Sequence, residues 1–205
     1  MRVNEQGRSM IEMLGVLAIV GVLSVGGIAG YSKAMNKFKT NKVIDQINMI
    51  STNIRTLYSS QRNYSGLDNE LAKKAGVVSG DMYSDVSGSE ITNAFQGSVF
   101  ITTGTHNGQT DAAYIIGFDG LPKSACVAAA TTDWGGDVGS GFAAMIVTTN
   151  GAEDAASTLT SDSLTAAANL AIPGDTEGYG TPMSILNAQA SCTSDADNSM
   201  ALKYI

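Results

Sequence analysis

The sequence predicts an α+β protein in which a long N-terminal α-helix precedes a globular head with an antiparallel β-sheet. Three observations lead to this fold class. Residues 10–31 form an almost uncharged apolar run, and residues 32–62 contain neither Pro nor Gly and place apolar residues three and four positions apart. Residues 63–205 instead contain short β-rich segments separated by turn signals.

Charge divides the chain at the same place. Residues 1–62 hold eight basic and three acidic residues, whereas residues 63–205 hold four basic and sixteen acidic residues. The whole chain of 205 residues has a net charge of −7, which argues against binding of nucleic acid through bulk electrostatics. We therefore expect two bodies with different surroundings and no nucleic-acid partner.

The apolar run from Met10 to Tyr31 has one charged residue, Glu12. As a helix this run is about 33 Å long, enough to span the hydrocarbon core of a bilayer, which is about 30 Å thick. The apolar core of a secretory signal peptide is shorter, about 7–15 residues. Residues 8–31 are therefore predicted to be a transmembrane helix, and a plain membrane anchor accounts for all of its residues except Glu12.

Three glycines, Gly26, Gly27 and Gly30, lie near the end of the apolar run. Gly26 and Gly30 have the Gly-x-x-x-Gly spacing that lets helices approach closely in an apolar medium. The three would also soften the helix, since each Gly costs about 1 kcal/mol relative to Ala. The alternative interpretation is that Gly is simply common in membrane helices.

Residues 32–62 predict an amphipathic continuation of the same helix, from residue 8 to residue 62. At about 80 Å such a helix cannot be buried in one small domain, so its second half is expected to pack on the sheet of the head. The apolar positions form one stripe: Met35, Phe38, Ile44, Ile47, Ile50 or Ser51, Ile54, Leu57 and Tyr58. Four lysines just past the apolar run are expected either to form a solvated face or to contact lipid headgroups or acidic heads of neighbouring molecules: Lys33, Lys37, Lys39 and Lys42.

The head, residues 63–205, is predicted to alternate helices and strands. Segments 98–103 and 112–118 are rich in β-formers and flank the turn dipeptide Asn107-Gly108, so they predict a β-hairpin. Further strands are predicted at 142–149 and 200–205. Cap and stop signals predict helices at 67–75, 122–130, 155–171 and 181–190.

The start of the chain has a more specific pattern. A short polar leader, residues 1–7, ends in Gly7, and Arg8-Ser9-Met10-Ile11-Glu12 leads into the apolar run. This pattern resembles the class III leader and the N-terminus of type IV pilins, whose fold is a long helix packed on an α+β head. The resemblance implies that a membrane-embedded prepilin peptidase cuts between Gly7 and Arg8 and methylates the new amine.

The resemblance also implies a role for Glu12, which would be the fifth residue of the mature chain. In type IV pilins the corresponding carboxylate neutralises the N-terminal amine of a neighbouring subunit during assembly. The family usually has an apolar residue where this chain has Arg8. The guanidinium of Arg8 would therefore place a second positive charge near Glu12.

Cys126 and Cys192 are the only cysteines, and two cysteines in an exported chain favour a disulfide over two buried thiols. Closing so long a loop is worth about 4 kcal/mol. Residues 117–121 (Gly-Phe-Asp-Gly-Leu), followed by Cys126 and Trp134, resemble the entry to the disulfide-bounded region of b-type type IV pilins, the group of the toxin-coregulated pilin. The position of Cys192 shortly before a last strand fits the same group, and the bounded region would be 126–192.

Catalytic residues, cofactors and metals are not expected. The single histidine, His106, falls in a predicted turn, and there is no Gly-x-Ser-x-Gly nucleophile motif. Two Cys and one His do not give a zinc site, and the acidic pairs lack the spacing of a calcium-binding loop.

The resemblance implies a structural subunit, a major pilin, that polymerises through its N-terminal helix into an extracellular type IV pilus. Expected partners are other copies of the chain, the prepilin peptidase, an inner-membrane assembly platform and, before assembly, the membrane itself. The precursor is expected in the inner membrane and the mature chain in the pilus. The alternatives are a minor pilin, a type II secretion pseudopilin, or a membrane-anchored binding domain that does not polymerise.

Overall fold

The computed structural model of the chain describes residues 6–85, 88, 90–135, 140–162, 164, 169–173 and 181–205. The chain divides into two units, Met1–Phe38 and Lys39–Ile205, which we call the N-terminal unit and the head unit. Most of the leader, residues 1–5, lies outside the described residues.

The long predicted helix is present as α1, Gln6–Leu57, which is helical without interruption. It ends at Leu57 rather than at residue 62. The following residues, 59–63, read Ser-Ser-Gln-Arg-Asn and are exposed, so no apolar side chain there gains by extending the buried face.

Within the head unit, α1 buries a stripe at Val43, Ile47, Ile50 and Ile54, with spacings of four, three and four. The prediction was therefore right for the last three of these residues and missed Val43. It was wrong for Leu57, which is 40% exposed because the helix ends there, and for Phe38, which is 63% exposed.

Five strands form one antiparallel sheet in the order β1-β2-β5-β3-β4. Their bounds are β1 Val99–His106, β2 Gln109–Leu121, β3 Phe142–Thr148, β4 Leu170–Ala171 and β5 Asn198–Tyr204. The predicted hairpin is confirmed as β1–β2, and Asn107 and Gly108 both have the positive φ values that its turn requires, 51° and 73°. The predicted last strand is confirmed as β5, which lies between β2 and β3 and is buried along its whole length.

Helices in the head unit are α2 Asn69–Lys74, α3 Lys123–Ala130, α4 Ala152–Thr158 and α5 Ile185–Ser191, with a short 3-10 helix at Gly80–Met82. The carboxylate of Asp68 caps α2 by accepting the amide of Leu71 at 2.7 Å. The hydroxyl of Ser184 caps α5, which therefore begins later than the predicted residue 181.

The helix predicted at 155–171 is wrong for residues 159–162 and 169–171, whereas residues 163 and 165–168 lie outside the described residues. Hydroxyl groups at the end of α4 bond back to nearby carbonyls, which terminates the helix; they belong to Ser157, Thr158 and Thr160. Leu170 and Ala171 instead pair with β3, and the side-chain amide of Asn169 anchors this segment by donating to Val147 O at 2.7 Å.

Both faces of the sheet are covered. The stripe of α1 lies in one core cluster with Tyr114, Ile116 and Phe118 of β2, whereas α4 lies in a second cluster with Ile115. A side chain at Gly117 would come within 2.4 Å of Ala152 O, so α4 requires a glycine in β2. Burial on both faces explains why β2 is apolar without alternation.

Candidate functional site

The N-terminal unit has an apolar surface that nothing in the unit covers. All of residues 10–34 are exposed, and the large apolar side chains among them range from 52% exposed at Val20 to 75% at Val22. The most apolar window of the helix has a mean hydropathy of 2.2 and none of it is buried, so by length and composition the helix can cross a membrane. Apolar surface gains about 25 cal/mol for each Å² removed from water, so this helix is stable only in lipid or against other protein.

Glu12 lies inside this apolar surface and is exposed. The ion pairs among the described side chains join Lys42 to Asp81 and Lys74 to Glu70, and neither provides Glu12 with a cation. A carboxylate in an apolar medium gains strongly from a cation. Gly7 and Arg8 lie in the first turn of α1, and cleavage between them stays a prediction.

No contact described in the N-terminal unit requires a glycine at positions 26, 27 or 30. A methyl group added at Gly26, Gly27 or Gly30 would meet no heavy atom within 4 Å. The helix is continuous through these positions, so their role in flexibility or close packing stays a prediction. The hydroxyls of Ser24 and Ser32 donate to Val20 O and Ile28 O at 2.7 and 3.0 Å, so both of these hydroxyls are paired within the helix, as an apolar medium requires.

The predicted disulfide is confirmed. Cys126 in α3 is bonded to Cys192, which directly follows α5, and both residues are completely buried. Their Cα atoms are 6.0 Å apart. Trp134 lies in the same core, where its indole N–H donates to Ala129 O at 2.9 Å. The bridge therefore fixes α5 to the end of the sheet from which α3 departs.

A group of aromatic residues joins α1 to the sheet, and sequence reasoning missed it. The rings of Tyr114 and Tyr204 are stacked with centroids 5.2 Å apart. Arg55 of α1 donates from Nε to Tyr114 Oη at 3.0 Å and lies over the ring of Tyr204, while the hydroxyls of Ser51 and Tyr114 bond at 2.8 Å. Burial raises the pKa of both tyrosines. The aromatic residues stood in predicted strands, but no pattern indicated their contact with α1.

Two buried lysines were also missed. Lys203 of β5 donates to Thr105 O and Ser161 O at 2.8 and 2.9 Å, and burial lowers its pKa. Lys73 of α2 donates to Asp85 O at 2.9 Å and to Gly88 O, which holds the segment before β1. The one sequence signal for a buried lysine was the position of Lys203 within the apolar segment 200–205.

The head unit also carries an open cleft with a volume of about 590 Å³. Four carboxylates line it: Glu90, Asp119, Glu153 and Asp154. Among the described residues there is no group of three or more His, Cys, Asp or Glu that could hold a metal ion. His106 stands at the end of β1 with its Nε2 3.1 Å from the side-chain amide of Asn107.

Comparison with known proteins agrees with this arrangement. The family model described as Bundlin matches residues 32–205. The major structural subunit of bundle-forming pilus from Escherichia coli O127:H6 is 32% identical over 131 residues, which cover 64% of this chain and 66% of that protein. The toxin coregulated pilin of Vibrio cholerae is 27% identical over 129 residues, covering 61% of this chain and 56% of that one. The aligned part of the chain thus spans between just over half and about two thirds of these relatives.

Solved structures show the same fold. A type IV pilin from the El Tor biotype of Vibrio cholerae has a TM-score of 0.54 at 20% identity, covering 82% of this chain and 99% of that one. A type IV b pilin from Salmonella typhi has a TM-score of 0.50 at 18% identity, covering 80% and 98%. The long helix and the disulfide-bridged antiparallel head are therefore those of a type IVb pilin, and the chain belongs to the Bundlin family.

Proposed function

We propose that this chain is a major pilin, a structural subunit that polymerises through the apolar half of α1 into an extracellular type IV pilus. The observation that carries the proposal is the uncovered apolar surface of Met10–Tyr31, which needs either lipid or neighbouring helices. Lipid surrounds this segment before assembly, and neighbouring helices surround it in the filament. The precursor is held in the inner membrane by this segment, and the mature chain exchanges lipid for copies of itself.

The exchange of lipid for neighbouring copies depends on proteolytic processing of the precursor. A prepilin peptidase removes residues 1–7 by cutting between Gly7 and Arg8, and an inner-membrane assembly platform then adds the subunit to the filament. Only cleavage creates the α-amine at Arg8. The cation that Glu12 lacks among the described side chains is thereby supplied by the next subunit.

The pairing of Glu12 with that amine sets the axial register. A buried carboxylate without a partner costs several kcal/mol, so a subunit that docks one turn too high or too low is penalised. Gly26, Gly27 and Gly30 allow neighbouring helices to approach closely, since no contact within the chain occupies the space at these positions. The role is structural rather than enzymatic, as it is in the named relatives.

A minor pilin and a type II secretion pseudopilin share the N-terminal pattern, but a major structural subunit of a pilus is among the relatives of this chain. A membrane-anchored domain that never polymerises would have no use for Glu12 inside an apolar segment.

Filament formation tests the proposal directly. The chain is expressed together with a prepilin peptidase and assembly platform, filaments are counted by electron microscopy, and mass spectrometry locates the mature N-terminus. We expect wild type to begin at Arg8 and to form filaments. Glu12→Val should be cleaved at the same bond and form few or none, because the amine of the neighbour has no carboxylate to meet.

Val20→Ala in the same segment serves as the matched control, since it trims an exposed side chain and removes no charge. Normal filament yield from Glu12→Val contradicts the assembly role and favours the plain membrane anchor. A mature chain that begins anywhere other than Arg8 contradicts the processing step.

A further inference from the structure

The four lysines that follow the apolar run fall into two pairs. In the head unit, Lys42 donates to the carboxylate of Asp81, and Lys39 Nζ lies 5.7 Å from the ring centre of Phe95. In the N-terminal unit, Lys33 and Lys37 are exposed, and no contact found among the described residues engages either ammonium group. The head engages the first pair, whereas the second pair has no partner among the residues that the structure describes.

No acidic residue of α1 lies within one turn of Lys33 or Lys37. No acidic residue occurs between Glu12 and Asp45. Lys33 and Lys37 are four positions apart, so both ammonium groups lie on one side of α1 and reinforce each other as a positive site.

The depth of the pair matches that of lipid phosphates. Tyr31 closes the apolar run and is 66% exposed, as expected of an aromatic residue at a membrane interface. At 1.5 Å per residue, Lys33 and Lys37 lie about 3 and 9 Å farther along the helix axis. The headgroup layer on each side of a bilayer is about 5–7 Å thick, and a lysine can extend its flexible stem to reach it.

We propose that Lys33 and Lys37 form a binding site for the phosphate of anionic phospholipids while the chain is in the membrane. The inference rests on the membrane-anchored stage of the proposed function. Two ammonium groups favour a lipid with a net negative charge over a zwitterionic one, because the latter carries its own cation. Anionic lipid fixes the depth and tilt of α1 before assembly, and it must be released when the subunit enters the filament.

Titration of lipid onto the full-length chain in mild detergent, followed by native mass spectrometry, tests this. The probes are phosphatidylglycerol and phosphatidylcholine. We expect wild type to prefer phosphatidylglycerol and the preference to weaken with salt. The double variant Lys33→Gln/Lys37→Gln should bind phosphatidylglycerol about 25-fold more weakly, about fivefold for each lysine.

Two further variants separate the effect of the position of the lysines from the effect of their charge. Lys39→Gln/Lys42→Gln removes the same charge from the same helix but from the pair that the head engages, and it should keep the wild-type affinity. Lys33→Arg/Lys37→Arg should also keep it. Near-ultraviolet circular dichroism from the buried Trp134 checks that each head is folded.

Equal phosphatidylglycerol affinity for wild type and Lys33→Gln/Lys37→Gln overturns the inference, as does an equal loss in the Lys39/Lys42 variant. Unchanged lipid binding with fewer filaments in the Lys33/Lys37 variant also overturns it, and identifies the acidic head of a neighbouring copy as the partner. If the wild-type chain forms filaments but shows no preference for phosphatidylglycerol, the lipid site is contradicted and the proposed function is not. Lipid preference without filaments supports the site and contradicts the polymer.

Discussion

The two halves of α1 differ in apolar content and have opposite surroundings: 15 of the 22 residues at 10–31 are apolar, but only 10 of the 26 residues at 32–57. In residues 10–31 every large apolar side chain is exposed, whereas in residues 43–54 four apolar side chains are almost completely buried against the sheet. The first half is apolar on all sides, and the second half has one apolar stripe with polar residues opposite. The comparison shows that a helix that is apolar on all sides needs a partner outside its own chain, whereas a helix with a single apolar stripe can pack on its own chain.

The same contrast holds for polar groups. In the head unit, the buried Lys73 and Lys203 donate to backbone carbonyls, and the half-buried Arg55 donates from Nε to Tyr114. In the N-terminal unit, Glu12 and the pair Lys33 and Lys37 have no such partner among the described residues. The charged groups of the head therefore help to stabilise its fold, whereas those of the N-terminal unit remain available to bind other molecules.

The largest expected effect concerns the head alone. Cys192→Ser removes the bridge to Cys126 and frees the enclosed loop, which should lower the free energy of unfolding of the head by about 4 kcal/mol. Denaturation of the full-length chain in detergent, followed by the fluorescence of buried Trp134, measures this. Wild type unfolded under reducing conditions should match the variant. A variant as stable as oxidised wild type would contradict the role of the bridge.

The second prediction compares one substitution in the two halves of the helix. Ile50→Ala empties a buried site and should lower the free energy of unfolding of the head by about 3 kcal/mol. Ile19→Ala trims a side chain that is 63% exposed and should leave head stability unchanged. Both changes replace Ile by Ala within α1, so differences in helix propensity cancel. Equal losses from the two variants would show that the halves are not energetically distinct.

Most of this division could be predicted from the sequence, because it depends on local patterns. The apolar run, the stripe through Ile47, Ile50 and Ile54, and the Asn107-Gly108 hairpin each follow from residues close in the chain. The N-terminal pattern around Gly7 and Glu12 likewise needs only a few neighbouring residues. The pairing of Cys126 with Cys192 followed because no other cysteine exists.

What could not be predicted depends on contacts between distant segments. The segment that contains Leu170 has helical composition, and only the free edge of β3 makes it a strand. The contact of Arg55 with Tyr114 and Tyr204 joins three elements that are far apart in sequence. Lys203 looks like a surface lysine until the position of Ser161 is known.

The third prediction uses the tyrosines that join α1 to the sheet. Burial raises the pKa values of Tyr114 and Tyr204 in the folded head, so the unfolded chain loses these protons first as pH rises. Their contribution to stability is complete below the ordinary tyrosine pKa of about 10 and is lost above it. Tyr204→Phe should reduce this alkaline loss by about 1.4 kcal/mol per pH unit, because one fewer proton is released on unfolding. Denaturant titrations across that range measure the slope, and an unchanged slope would mean that Tyr204 ionises normally.

The smallest expected effect concerns Arg8 in the N-terminal unit. If the α-amine created by cleavage is the cation for Glu12, then the guanidinium of Arg8 is a second and dispensable donor. Arg8→Met should be cleaved after Gly7 and give filament yields close to wild type by electron microscopy. Acetylation of the mature amine in purified subunits before reassembly should instead suppress filament formation, since it removes the charge that Glu12 meets. If Arg8→Met loses filaments while acetylation does not, the side chain rather than the amine pairs with Glu12, and assembly no longer requires cleavage to create its cation.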